Sequence, residues 1–113
     1  MNQNMKNNRE AFKALVTHII DNDLMITLHN EEEDDVLVDS VSVDNVMNES
    51  LATDMEWITI TDGEKALGTL SLIWGNDPWE LISDYTSNEF CDDLWKWFEE
   101  TMYERYRRWD DIM

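Results

Sequence analysis

An α+β domain with a strongly acidic surface is what this sequence predicts, and three observations carry that expectation. Apolar residues recur at helical spacing near both ends of the chain, in Phe12, Leu15, Val16, Ile19 and Ile20 and again in Cys91, Leu94, Trp95, Phe98 and Met102. Between them lie short β-branched and aromatic runs, as in Glu56-Trp57-Ile58-Thr59-Ile60-Thr61. Turn signals at Asp62-Gly63 and Gly75-Asn76-Asp77-Pro78 join those runs, and with three Gly and one Pro in 113 residues little is left for linkers. The expected order is helix-strand-helix-strand-strand-strand-helix. That makes an antiparallel sheet of about four strands packed with two or three helices, in a single domain spanning residues 1–113.

Residues 8 to 21 form the first predicted helix, with Asn7 or Asn8 as its N-cap and Asn22 near its end. Leu24 to His29 alternates with period two and reads as a strand. Val36-Leu37-Val38 is a short strand or an extension of one. Ser42 is a good N-cap, and Val43, Val46, Met47 and Leu51 follow it at helical spacing, so a second helix is expected to end near Thr53. Glu56 to Thr61, Ala66 to Trp74 and Trp79 to Tyr85 then make a three-strand meander with one face against helices and the other partly wet. Thr86 and Glu89 stand in capping-box relation at the head of the last helix, whose apolar face continues through Tyr106 and Trp109. Arg105, Arg107 and Arg108 fall near its C-terminal end, where cations suit the helix dipole.

Charge is the dominant feature. Twenty-six acids against eight bases give a formal net charge of −18. Such a field repels nucleic acid and anionic membrane and attracts basic surfaces, so neither direct nucleic-acid binding nor membrane association is expected. An apolar content of 42% with six Trp separates the chain from disordered acidic tails. The single cysteine, Cys91, has no internal disulfide partner, the polar start Met1-Asn2-Gln3-Asn4-Met5-Lys6 is unlike a signal peptide, and no window reaches transmembrane length; a cytoplasmic location is expected.

The charge is also uneven. Between Ala14 and Glu64 lie fourteen Asp and Glu and no Lys or Arg. Glu31, Glu32, Glu33, Asp34 and Asp35 are consecutive, and Asp39 follows closely. Five adjacent carboxylates gain nothing from neighbouring cations and belong in an exposed loop. A second acidic stretch, Asp92, Asp93, Glu99 and Glu100, falls on the outer part of the last helix, where Asp92 and Glu99 are two turns, about 10 Å, apart. DNA carries a phosphate about every 3.4 Å along each strand. Carboxylates spread over a rigid surface at such separations fit the Lys/Arg cleft of a nucleic-acid-binding protein. The competing reading is a solvated surface that keeps the protein soluble.

Other chemistries find less support. The acids lack the glycine that a Ca²⁺ loop needs for its sharp turn, and His18 and His29 lack companions at zinc-ligand spacing, so no metal or cofactor is expected. Cys91 lies near a helix start, which favours a thiolate, but no histidine is placed to serve it, and a small buried side chain is the expected role. No nucleophile elbow, P-loop or dinucleotide fingerprint is present, and no enzyme activity is expected. Trp95 and Trp97 lie about 200° apart on their helix, so both cannot face the sheet. One of them, or Trp109, is expected to be partly exposed, as an interface anchor or a homodimer contact.

In length, charge and the alternation of acids with apolar core positions, the chain resembles the phage-encoded inhibitors of host defence, the Ocr-type antirestriction proteins and DNA-mimicking anti-CRISPR proteins. The stretch from Gly75 to Thr86 is also similar to segments of small phage proteins. The resemblance transfers no residue by position, and Ocr-type proteins are mostly helical, so mimicry here would stand on a different fold. It implies a DNA mimic that occupies the basic cleft of a restriction–modification or CRISPR nuclease complex inside an infected bacterium. Two rivals remain. An immunity protein or antitoxin would cover a basic nuclease toxin. An acidic accessory protein would have no tight partner, and its stability would rise markedly with ionic strength.

Overall fold

The computed structural model of the protein describes residues 3–30, 36–50 and 55–107. In chain order the elements are α1 (Gln3–Asp21), β1 (Met25–Asn30), β2 (Leu37–Ser40), α2 (Val43–Glu49), β3 (Met55–Thr61), β4 (Ala66–Ile73), β5 (Ile82–Tyr85) and α3 (Glu89–Met102). A 3-10 turn at Pro78–Glu80 precedes β5, and a π-helical turn at Tyr103–Arg107 follows α3. The strands form one antiparallel sheet in the order β2-β1-β3-β4-β5.

Strand alternation decides what the two faces of the sheet carry. Register places Ile26 opposite Ile60, Leu28 opposite Ile58, Ile58 opposite Leu70 and Leu72 opposite Ile82. All of these are buried in one cluster with Ala11, Phe12, Leu15, Val16 and Ile19 of α1 and with Cys91, Leu94, Phe98 and Met102 of α3. Complete burial of each large side chain contributes about 1.5–3 kcal/mol, so this two-layer core is what holds the fold. The alternate residues form the other face, where His29, Trp57, Thr59, Thr61, Thr69, Ser71 and Ile73 all keep part of their surface accessible. A line of side-chain hydrogen bonds crosses it, His29 Nε2 to Thr59 Oγ1 at 3.0 Å and Thr59 Oγ1 to Thr69 Oγ1 at 3.0 Å. The α+β class and the half-wet sheet are as the sequence predicts.

The sheet has five strands rather than four, because the segment after the acid run returns to pair with β1. The Val36 amide donates to the Leu28 carbonyl at 2.9 Å, and the register opposes Leu28 to Leu37 and Ile26 to Ser40. Val38 and Asp39 together stand against the single residue Thr27, which is a β-bulge, and Asp39 takes the left-handed conformation at φ +47°. Apolar alternation over three residues was too short a signal to separate this edge strand from an extension.

Several boundaries also differ from expectation. Helix α1 begins at Gln3, so Asn7 and Asn8 lie inside it; Asn8 is buried and donates through Nδ2 to the Asn76 carbonyl at 2.7 Å, fastening the turn before Pro78. Ser42 caps α2 as predicted, accepting from the Asn45 amide at 3.2 Å, but the helix stops at Glu49 rather than near Thr53. The guanidinium of Arg9 meets the carbonyls of Met47 at 2.9 Å and Ser50 at 3.5 Å, where a cation suits the end of that helix. Trp79 lies in the 3-10 turn, not in the fourth strand of the prediction, since Pro78 favours the first turn of a helix over a ladder position.

The predicted capping box at Thr86 and Glu89 does not form. Thr86 Oγ1 instead accepts the Thr69 amide at 3.0 Å and carries the β4–β5 pairing one residue past Tyr85. Asn88 takes over as N-cap, accepting from the Cys91 amide at 2.8 Å and donating to the Leu67 carbonyl at 2.9 Å. One side chain thus caps α3 and ties its start to the sheet. Gly68 lies directly beneath. A Cβ there would run into Cys91 Sγ, so the absent side chain is what lets α3 approach β4 so closely. The π-helical turn ends at Arg107, and Arg108 and Trp109 lie outside the described residues.

Candidate functional site

The described acids among those named by the sequence do not all gather on one surface. Glu31, Glu32, Glu33, Asp34 and Asp35 lie outside the described residues, in the connection between β1 and β2. Asp39 is exposed on the open face of the sheet, where its carboxylate accepts from Thr61 Oγ1 at 3.2 Å and its amide donates to Thr27 Oγ1 at 3.0 Å. The bulge is the reason. Regular alternation from Leu37 would have put Asp39 on the helix-covered side; the extra residue puts Ser40 there and turns Asp39 away from it. Glu56, counted among the acid-rich stretch, is not a surface group at all. It shares strand parity with Ile58 and Ile60, is fully buried, and accepts from Ser50 Oγ at 2.8 Å.

Helix α3 keeps its acids together. At 100° per residue its buried side centres on Leu94, Phe98, Cys91 and Met102, and Glu89, Asp92, Asp93, Lys96, Glu99 and Glu100 fall on the opposite side. Asp92, Asp93 and Glu100 are exposed and Glu99 is partly so. Five carboxylates and one lysine therefore share the outer surface of a helix whose inner surface is locked into the core. The outer face of α3 sits on the helix layer, so it looks away from the sheet face that carries Asp39. The other described cations, apart from Lys65 in the β3–β4 turn, are Lys6, Arg9 and Lys13 on α1 and Arg105 and Arg107 in the π-helical turn after α3.

Two tryptophans flank this acidic surface, one on each side, and both are half-buried, which answers the expectation that they could not share the sheet. Trp97 stacks on His18 of α1 with ring centroids 3.7 Å apart and planes 13° apart. The pair borders a groove of about 330 Å³ between α1 and α3, which Phe90 and Asp93 also line. Burial holds the His18 imidazole below its usual pKa, with the charge of Asp21 opposing. Trp95 stacks on Tyr85 at 5.9 Å and 22°, on the side of α3 that meets β5. Burial, and after it the neighbouring Asp92, raises the Tyr85 phenol above its usual range.

Cys91 is buried, and that burial followed by the adjacent Asp92 charge pushes its thiol up, away from nucleophilic reactivity. His29 lies on the opposite face of the sheet from it, bonded to Thr59. Among the described residues no group of three or more His, Cys, Asp and Glu is arranged to hold a metal ion, and no helix is long and apolar enough to cross a membrane.

The residues around β5 went unremarked as a site in the sequence. Trp79-Glu80 and Asp84-Tyr85 pair an aromatic with an acid at each end of that segment, and this was the available signal. In the fold they meet Trp95 and Glu99 of α3 along one groove of about 450 Å³. The sequence matches no protein-family model, and comparison with curated proteins and with solved structures finds no match for it.

Proposed function

We propose that the protein is a DNA mimic, a non-enzymatic binding protein whose carboxylates occupy the basic nucleic-acid cleft of a host-defence nuclease complex, of the restriction–modification or CRISPR kind, and block it by competition. The observation that carries this reading is the outer surface of α3, where Glu89, Asp92, Asp93, Glu99 and Glu100 accompany a single lysine on a rigid, core-anchored helix. Asp92 and Glu99, about 10 Å apart along the axis, span roughly three phosphate steps of a DNA strand. A pre-ordered array loses little conformational entropy on binding, which favours a helix over a flexible acidic tail as a phosphate surrogate. Asp39 belongs to the other side of the molecule and drops out of this surface.

Capture from bacterial lysate on the immobilised protein, eluted first with duplex DNA and then with salt, tests the proposal. Release of a nucleic-acid enzyme by DNA, and its loss when Asp92, Asp93 and Glu100 are together changed to lysine in a chain that keeps its helical circular dichroism, is the expected result. A partner that resists DNA but leaves in salt would shift the reading to an immunity protein or antitoxin. Capture that is indifferent to the triple change would remove α3 from the mechanism.

A further inference from the structure

Beside the acidic surface of α3, the free edge of the sheet carries a groove of different chemistry. Strand β5 is the last in the sheet, and beside it Trp79 and Glu80 of the 3-10 turn, Tyr85 of β5, and Trp95 and Glu99 of α3 line about 450 Å³ of open space. The aromatic wall extends past Trp79, whose ring lies 5.7 Å from that of the exposed Tyr103 at 68°. Among the described residues no lysine or arginine lines the groove.

We infer that this groove is a receptor for an arginine side chain presented by the protein's partner. The inference takes from the preceding section only that the partner is basic. Aromatic faces attract a cation through their quadrupole, and a guanidinium can stack on a ring while its N–H fork reaches a carboxylate. The carboxylates of Glu80 and Glu99 beside the rings of Trp79, Tyr85 and Trp95 offer both interactions at once. Glu80 also lies close to a second acid: a hydrogen bond with Asp77, then burial, then that residue's charge hold its carboxyl above its usual pKa. A cation entering the groove would relieve that crowding. The edge itself is less inviting to a bare backbone, because Asp84 Oδ1 accepts the Tyr85 amide at 2.9 Å. Recognition therefore falls to side chains, and arginine suits it better than lysine because its planar guanidinium can lie flat on a ring while its fork engages a carboxylate through two parallel N–H bonds.

Isothermal titration of the whole chain with a capped peptide of alternating Arg and Gly, in 150 mM salt, reads this directly. Glu80→Gln with Glu99→Gln should weaken binding about tenfold or more, and Trp95→Ala by a similar factor. Glu49→Gln with Glu64→Gln changes the net charge equally at exposed sites away from the groove and should leave binding within about twofold. Replacing arginine by lysine in the peptide should weaken it severalfold, and citrulline should abolish it. Equal weakening by both glutamine pairs, equal affinity for the lysine peptide, or no binding by the unaltered protein would each overturn the assignment. The glutamine pairs keep the test decisive if Trp95→Ala does not fold. A peptide-binding groove in a protein whose lysate partner ignores DNA would leave this inference standing and the mimicry reading refuted; the converse result separates them the other way.

Discussion

At one edge of the sheet β2 presents a bulge and a residue with positive φ, with the exposed side chains of Val38 and, just after the strand, Val41; at the other, β5 borders a groove lined by three aromatic rings and by acids. A free edge exposes unpaired backbone groups and invites another strand. The β2 edge discourages pairing through the backbone, since the bulge breaks the ladder at Val38 and Asp39 and the Asp39 amide is taken by Thr27. The β5 edge is screened by side chains and by the helix beside it, and that screening leaves a recessed surface. The first edge is closed by geometry and has little to offer a partner, whereas the second is closed by chemistry that a cation can use.

Helix α3 can sit against β4 and wall the β5 groove only because Gly68 has no side chain. The largest effect on the comparison should therefore come from Gly68→Ala. Forcing a methyl against Cys91 should cost about 1–3 kcal/mol, measured as a fall in urea midpoint at unchanged slope. Cys91→Ala added to that variant should recover part of the loss, so the two changes together should cost less than their sum. Additive costs would mean that α3 does not bear on Gly68.

A smaller loss, about 1–2 kcal/mol, should follow Asn88→Ala, which removes both the N-cap bond to Cys91 and the tie to Leu67. Thr86→Ala should leave the α3 cap intact and act on the end of the β4–β5 pairing. Were Thr86→Ala to lower helicity as much as Asn88→Ala, the capping box of the sequence would be operating after all.

Smallest of the three should be Asp39→Gly. Glycine accepts positive φ without steric strain, which offsets the lost bond to Thr61, and the net change should stay within about 0.5 kcal/mol. A loss of several times that, or self-association in sedimentation velocity, would show that the Asp39 side chain and not the bulge closes the β2 edge.

Much of the fold could be read before it was seen, and the reason is local. Phe12, Leu15, Val16 and Ile19 mark a helix face by spacing alone; Asp62-Gly63 marks a hairpin, and Gly63 does take φ +94°. What failed to read correctly were choices between local partners. Thr86 and Glu89 have the right spacing for a capping box, but Thr86 is claimed by Thr69 across the sheet. Asn7 and Asn8 look like caps, yet Asn8 is drawn into the core to hold Asn76. The candidate site was legible as composition, in the acid-rich stretch and the outer acids of α3. Its partition between faces was not.

By itself, then, the sequence determined the sign and size of the charge, the sites of the helices and most of the strands, and the acidic outer stripe of α3. Each of these is a property of composition or of side-chain period within one element, and needs no knowledge of its neighbours. Only the tertiary structure decided that Asp39 faces away from that stripe, that Glu56 is buried beside Ser50, and that Trp79, Tyr85 and Trp95 share a groove with Glu80 and Glu99. Those outcomes depend on one bulged register and on which elements pack together, and pairing across the chain leaves no period in the sequence that could announce it.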